Sequence, residues 1–285
     1  MTLLISIEIL YIKTIVRLTS EATRGEEKQR GRPIVRVQFL GIPIDILTMA
    51  ETVDRSVQAM RAPKRTQHVA VNVAKIVKAR SDKTLWSDLI GSDIVSVDGM
   101  GILIGLRLAG LPIAERVPGI DLMENILARC AIEGFRPFFL GATSQVVQSA
   151  ANNLAQRFPG LQFAGVHHGY FTPDQEADIV EIISASGADC LFIGIPTPRK
   201  ERFLNNYRDV LTVPFIMGVG GAFDVMAGKV RRAPMWMQRS GMEWLYRVYQ
   251  EPRRMWWRYL STNTIFVGLL LQVVRQRLIG RSTQE

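Results

Sequence analysis

What most limits the fold of this chain is an alternation that runs from about residue 37 to residue 220. Short β-branched runs take turns with amphipathic helical stretches. The runs predict strands over 37–47, 68–73, 94–98, 137–142, 163–169, 190–195 and 214–220. The stretches between them predict helices over 50–61, 74–81, 121–133, 144–158, 173–186 and 200–211. Strands separated by helices pair in parallel, and the helices then cover both sheet faces. The expected class is α/β, with a mostly parallel sheet. Open sheets of this kind bind ligands at the carboxyl ends of their strands. Several of these runs end in Gly or Asp just before a helix.

A hydrophobic content of 47% over 285 residues supports a large core and argues against global disorder. Residues 1–35 are read as an extension and linker. Their first part, MTLLISIEILYIKTIVRL, is interrupted by Glu8, Lys13 and Arg17 and lacks a basic start and a small-residue cleavage site. It is therefore not read as a secretory signal. It suits an interfacial helix or a segment outside the fold. The sheet domain is expected over 36–235 and a helical appendage over 236–285. No stretch reaches the ~18–20 uninterrupted apolar residues of a spanning helix. Cys130 and Cys190 form no metal or disulfide pattern, which suits a reducing compartment and two buried apolar side chains.

Charge is concentrated at the C-terminus. From Arg231 onward there are ten Arg, no Lys and three Glu, and four of the five Trp: Trp236, Trp244, Trp256 and Trp257. Guanidinium groups bind phosphate in a bidentate fork, and Trp favours the water–lipid boundary. The combination points to an anionic, phosphate-bearing molecule at a membrane surface. The tail reads as helical pieces divided at Pro252, with Ser261, Thr262 and Asn263 offering caps for a third. Ile265, Phe266, Leu269, Leu270, Val273 and Val274 form one apolar stripe. The stripe suits a core-docking helix as well as an interfacial one. The nearby Arg and Trp favour the membrane.

Three constellations could carry chemistry. Asn72 and Asp98 fall at the ends of two predicted strands and would face one crevice. A carboxylate there can take a proton from a hydroxyl; equally, Asp98 could cap the helix predicted over 101–108. Gly99 and Gly101 would let the backbone approach a ligand. The turn Gly218–Asp224, with Gly220, Phe223 and Asp224, can cradle phosphate or simply pack tightly. The loops at Gly141 and Gly194 are similar. Tail arginines, among them Arg232, Arg247, Arg254 and Arg258, could stabilise a departing diphosphate or stand in solvent. The histidines lie at no metal-ligand spacing, and no Asp-x-Asp pair is present, so no metal site and no cofactor are expected.

These residues stand within eight ordered blocks. They are FLGIPID (39–45), VNVAKIV (71–77), SVDGMG (96–101), RVPGIDLM (116–123), FFLGA (138–142), GIPTPRKE (194–201), GVGGAFDVMAGKVRRAP (218–234) and GMEWLYRVYQEPRRMWWRYL (241–260). In them the chain resembles the bacterial WecG/TagA/CpsF glycosyltransferases. The resemblance implies a Rossmann-like fold with a C-terminal appendage that docks at the membrane and completes the site. It implies transfer from a UDP-sugar donor to a lipid-linked saccharide acceptor on polyprenyl diphosphate, at the cytoplasmic face of the bacterial inner membrane. Asp98 matches the family's general base, and Asn72 matches the Asn beside the substrate, with the family's interval of 26 residues. Arg247, Arg254 and Arg258 match basic positions facing the UDP phosphates.

Two positions depart from the family pattern. Ala70 stands where Thr is usual, and in Pro198-Arg199-Lys200-Glu201 the Lys replaces Gln. Lys200 is expected to meet a substrate carboxylate or phosphate. Two other functions compete. A nicotinamide-dependent oxidoreductase would want a third glycine at 104, and it lies at 105. A membrane- or nucleic-acid-binding module would not need the glycine-ended strands; no nucleic acid partner is expected. A homo-oligomer that buries the apolar tail is an alternative to lipid.

Overall fold

The computed structural model describes residues 35–282 except 114, without the side chains of 239, 254, 255, 258 and 276–282; most of the N-terminal extension and linker thus lies outside the described residues. A hairpin of β1 (Arg36–Phe39) and β2 (Ile42–Asp45) opens the chain and forms its own antiparallel sheet. The single strand expected over 37–47 is thus broken. Leu40 and Gly41 both adopt left-handed backbone, with φ of 53° and 79°. Two such residues make the turn that matches strand twist. Leu in the first place hides it, because Asn, Asp or Gly is the usual signal. The buried Asp45 pins the hairpin, accepting from Arg36 Nε at 2.7 Å and from the Val95 amide at 2.8 Å.

There follow α1 (Met49–Met60), β3 (Thr66–Val71), α2 (Val73–Ala79), α3 (Lys83–Ile90), β4 (Ile94–Val97), α4 (Met100–Ala109), α5 (Gly119–Glu133), β5 (Pro137–Gly141), α6 (Ser144–Arg157), β6 (Gly165–His167), α7 (Glu176–Ala185), β7 (Cys190–Gly194), α8 (Arg199–Asn206) and β8 (Phe215–Gly218). Thr48 and Glu51 close a capping box on α1. Helix α3 was not expected. Asp82 starts it by accepting the Leu85 amide at 3.1 Å, and eight residues are too few for an apolar period to show.

Strands β3–β8 form one six-stranded sheet in the order β4-β3-β8-β7-β5-β6, and each neighbouring pair is parallel. Phe138, Phe139 and Leu140 of β5 are all buried, as befits a strand covered on both faces. Cys130 and Cys190 are buried free thiols, as expected, with their sulfurs 3.9 Å apart.

The tail forms α9 (Ala222–Met226), α10 (Met235–Arg239), α11 (Glu243–Gln250) and α12 (Pro252–Ser282). Pro252 opens α12, where its missing N–H costs nothing. The third helix expected at Ser261 does not begin there. Ser261 and Thr264 instead bond back to the carbonyls of Trp257 and Leu260, at 2.7 and 2.8 Å, and α12 runs through.

Helix α12 lies on α2 and α4. Phe266 and Leu269 are buried, Leu270 packs on the same cluster, and Phe266 meets Phe39 edge-on at 6.5 Å. This part of the apolar stripe therefore docks on the core and is not free for lipid. Gly105 makes the close approach possible: a Cβ there would stand 3.0 Å from Leu270 and 2.5 Å from Phe39. What α12 leaves exposed is a different set, including Trp256, Trp257, Leu260, Val267 and Leu271. Among the described residues no helix is long and apolar enough to cross a membrane.

Candidate functional site

Six parallel strands place their carboxyl ends in one row. Asn72 follows β3, Asp98 follows β4, Gly220 follows β8, and Gly194 and Gly141 end β7 and β5. Val71 and Val97 pair across β3 and β4, and the Asp98 amide continues the ladder to Val71 O at 2.9 Å. Asn72 and Asp98 are thereby held as neighbours. Their local duties differ. Asn72 is the N-cap of α2, its Oδ1 accepting the Lys75 amide at 3.0 Å. The cap of α4 is Gly99, and no side chain bonds that first turn. The capping role open to Asp98 is therefore not the one it plays.

Charge gathers around Asp98. Burial, first, and then the Glu243 carboxylate push it above the usual carboxylate range; Lys75, Arg247 and Arg116 oppose the shift. Glu243 and Arg247 belong to α11. The chain before α11 reaches the Asp98 turn closely, since a Cβ on Gly241 would stand 2.1 Å from Met100 Cγ. Lys75 turns its ammonium to Ala70 O at 2.7 Å. Burial, then the charge of Lys200, lower its pKa to about 8.

Below this edge lies a buried ionic cluster. Lys200 Nζ is 3.0 Å from Glu201 Oε1 and 3.5 Å from Asp88 Oδ2, and all three side chains are nearly inaccessible. Lys200, expected to meet a carboxylate or phosphate of the substrate, is instead paired with the protein's own Glu201 and Asp88. Burial raises the pKa of Glu201, yet Lys200, joined by hydrogen bonds from the backbone and Thr197, holds the carboxyl below its usual range. Nearby, His68 Nε2 lies 2.9 Å from Ser96 Oγ. Burial, with Lys75 and Lys200, lowers its pKa to about 3, so the ring is neutral.

The glycine half of the row is packed against itself. Gly141 has φ +151°, and a Cβ there would come within 2.7 Å of the Gly194 backbone. A Cβ on Gly194 would meet the Phe223 ring at 2.6 Å. Phe223 is buried against Phe139, their centroids 4.9 Å apart, and is part of the core. Open space begins at Gly220 (φ +54°) and Gly221, where a Cβ would meet nothing within 4 Å. Asp224 lies 3.6 Å from Lys229. Gly99 stands beside Asn72, and a Cβ on Gly101 would meet Val73 at 2.6 Å.

Arg232 is bound within the protein, its two terminal nitrogens meeting the Asp121 carboxylate. The side chains of Arg254 and Arg258 lie outside the described residues. Three residues that surround Asp98 escaped the sequence reading. Lys75 follows Asn72 by one helical turn, Arg116 stands in RVPGIDLM, and Glu243 precedes Arg247 by four. The last spacing could have been read as a helical ion pair; the other two carry no local signal.

Comparison with known proteins extends the picture. A family described as "Glycosyl transferase WecG/TagA/CpsF family" matches residues 37–282. An "N-acetylglucosaminyldiphosphoundecaprenol N-acetyl-beta-D-mannosaminyltransferase" of Bacillus spizizenii is 34% identical over 182 residues, covering 64% of this chain and 70% of that protein. A protein of the same description from Staphylococcus aureus strain MW2 is 31% identical over 222 residues, 77% of this chain and 86% of its own length.

Proposed function

Because this chain belongs to the WecG/TagA/CpsF family of glycosyl transferases, we propose that it moves an N-acetylhexosamine from a UDP-sugar to a saccharide on polyprenyl diphosphate, with Asp98 as base. The observation that carries this reading is the meeting of two parts at one sheet edge. Asp98 does not cap α4, the chain entering α11 packs Gly241 on Met100 of the Asp98 turn, and the charge of Arg247 acts on Asp98. The acceptor hydroxyl gives its proton to Asp98 as its oxygen bonds to the anomeric carbon. The bond from that carbon to the diphosphate breaks, and the electron pair leaves with UDP. A single displacement inverts the centre, so an α-linked donor yields a β-linked product. Arg247, with Arg254 and Arg258, neutralises the leaving diphosphate without a metal. The turn at Gly220 and Gly221 offers bare amides to the donor phosphates.

The choice of sugar and acceptor follows the relatives' descriptions, which name an N-acetylmannosaminyl group and an N-acetylglucosaminyl diphosphoundecaprenol. An apolar groove of about 390 Å³ between α11 and α12, lined by Trp244, Val248, Trp256 and Tyr259 among others, suits the first isoprene units of such an acceptor. Trp256 and Trp257 stand exposed. They would seat the protein peripherally on the cytoplasmic face of the membrane. Asp98→Asn should lower kcat by ~10²–10⁴ while UDP affinity, read by calorimetry, stays nearly intact. The assay is a UDP-sugar panel with synthetic polyprenyl-diphosphate acceptors and EDTA present, read by mass spectrometry. An Asp98→Asn enzyme at full speed would remove Asp98 from the reaction. Joint Trp256→Ala and Trp257→Ala should reduce co-sedimentation with anionic vesicles several-fold; unchanged pelleting would refute this docking surface.

A further inference from the structure

A line of alternating charges joins α5 to α11, and one member of it has no task in the reading above. Asp121, in the first turn of α5, accepts both terminal nitrogens of Arg232, with Nη2–Oδ2 at 2.8 Å. The remaining donor of Arg232, Nε, is buried and makes no hydrogen bond. It lies 3.7 Å from Glu243 Oε1. That same oxygen is 3.9 Å from Arg247 Nη2, one turn further along α11. The Glu243 side chain is 18% exposed and that of Arg247 44%. A shielded carboxylate between two guanidinium groups, beyond hydrogen-bond length from both, is held by charge and not by directional bonds. One partner can therefore be drawn away without breaking a bond to the other. The exposed partner, Arg247, is the one an arriving anion would draw.

We propose that Glu243 is a positioning residue of the transfer step: it seats Arg247 for the donor diphosphate and, two residues after Gly241 packs on Met100, holds a negative charge at the Asp98 turn. The inference rests on Asp98 being the base. The charged groups facing Asp98 are Glu243 and Arg247 from α11, Lys75 from α2, and Arg116 from the segment before α5. The three cations favour the ionised carboxylate, and Glu243 disfavours it. A diphosphate that engages Arg247 removes part of the charge neutralising Glu243. The effect of Glu243 on Asp98 then grows as the donor seats. Glu243 neither gains nor loses a proton in the step; the hydroxyl proton goes to Asp98 alone.

The test is the pH dependence of kcat and kcat/KM in wild type, Asp98→Asn, Glu243→Gln and Glu243→Asp, with thermal melts to establish folding. Protonated Asp98 cannot accept a proton, so wild-type activity falls as pH drops through its raised pKa. Removing the negative neighbour lowers that pKa. The acidic limb of Glu243→Gln should therefore move to lower pH, with a several-fold lower plateau kcat. Glu243→Asp withdraws the charge by one methylene and should show a smaller shift in the same direction. It carries the test if Glu243→Gln does not fold. Acidic limbs that superimpose on wild type in the folded variants overturn the proposal. An active Asp98→Asn, or a wild type without an acidic limb, overturns the assignment of the base and this inference with it.

Discussion

The two halves of the sheet's carboxyl edge are made of opposite materials. At the ends of β3 and β4 stand Asn72 and Asp98, and the charges of Lys75, Arg116, Glu243 and Arg247 act on Asp98. At the ends of β5, β7 and β8 the chain presents Gly141, Gly194 and Gly220. One half carries charge, and the other carries bare backbone. A reaction that moves a proton and releases a diphosphate needs both: ionisable groups where bonds change, and closely approachable amides where a nucleotide rests. The halves also differ in what holds them. Lys75 of the charged half feels the buried ions of Lys200, Glu201 and Asp88, whereas in the glycine half Gly141 closes on the Gly194 backbone and Gly194 on the Phe223 ring.

Lys200→Gln tests the first kind of support and should have the larger effect. It leaves Asp88 and Glu201 buried without their cation, a loss on the order of 3–5 kcal/mol, visible in denaturant unfolding. Donor preference and KM should not change, since Lys200 is spent on the protein's own carboxylates. An altered sugar preference at unaltered stability would place Lys200 in the crevice and erase the distinction between supporting ions and working ions. Gly141→Ala tests the second kind. Its new methyl would press on the Gly194 backbone, which has no side chain to swing aside. Roughly 1–3 kcal/mol of overpacking cost is expected, with UDP binding weakened in the folded fraction. Wild-type stability in this variant would mean that the glycines are not there for close packing.

Much of the architecture was legible beforehand. Six of the seven β-branched runs, separated by helical periods, indicated the parallel sheet, because an apolar run covered on both faces leaves a local pattern. Asn72 and Asp98 were legible as strand-end polar residues. The hairpin at Leu40 and Gly41 was not, since a left-handed Leu announces nothing in sequence. The eight residues of α3 were too few to show a period. The apolar stripe of α12 was visible, but its destination was not: one stripe serves a core or a bilayer equally well. The decision came from Gly101 and Gly105 on α4 and from Phe39, all far upstream of α12 in sequence.

The sequence by itself determined the alternating α/β layout, the concentration of Arg and Trp at the C-terminus and the family likeness, because each is written in neighbouring residues or in their order. Tertiary structure alone decided that Lys200 faces Asp88 and Glu201, that Asp98 is released from helix capping, and that Glu243 shares its surroundings. The reason is physical. Periodicity acts along a few residues of chain, whereas the Coulomb and packing forces that assign a charge its partner act across space. They depend on which distant segments the sheet brings together.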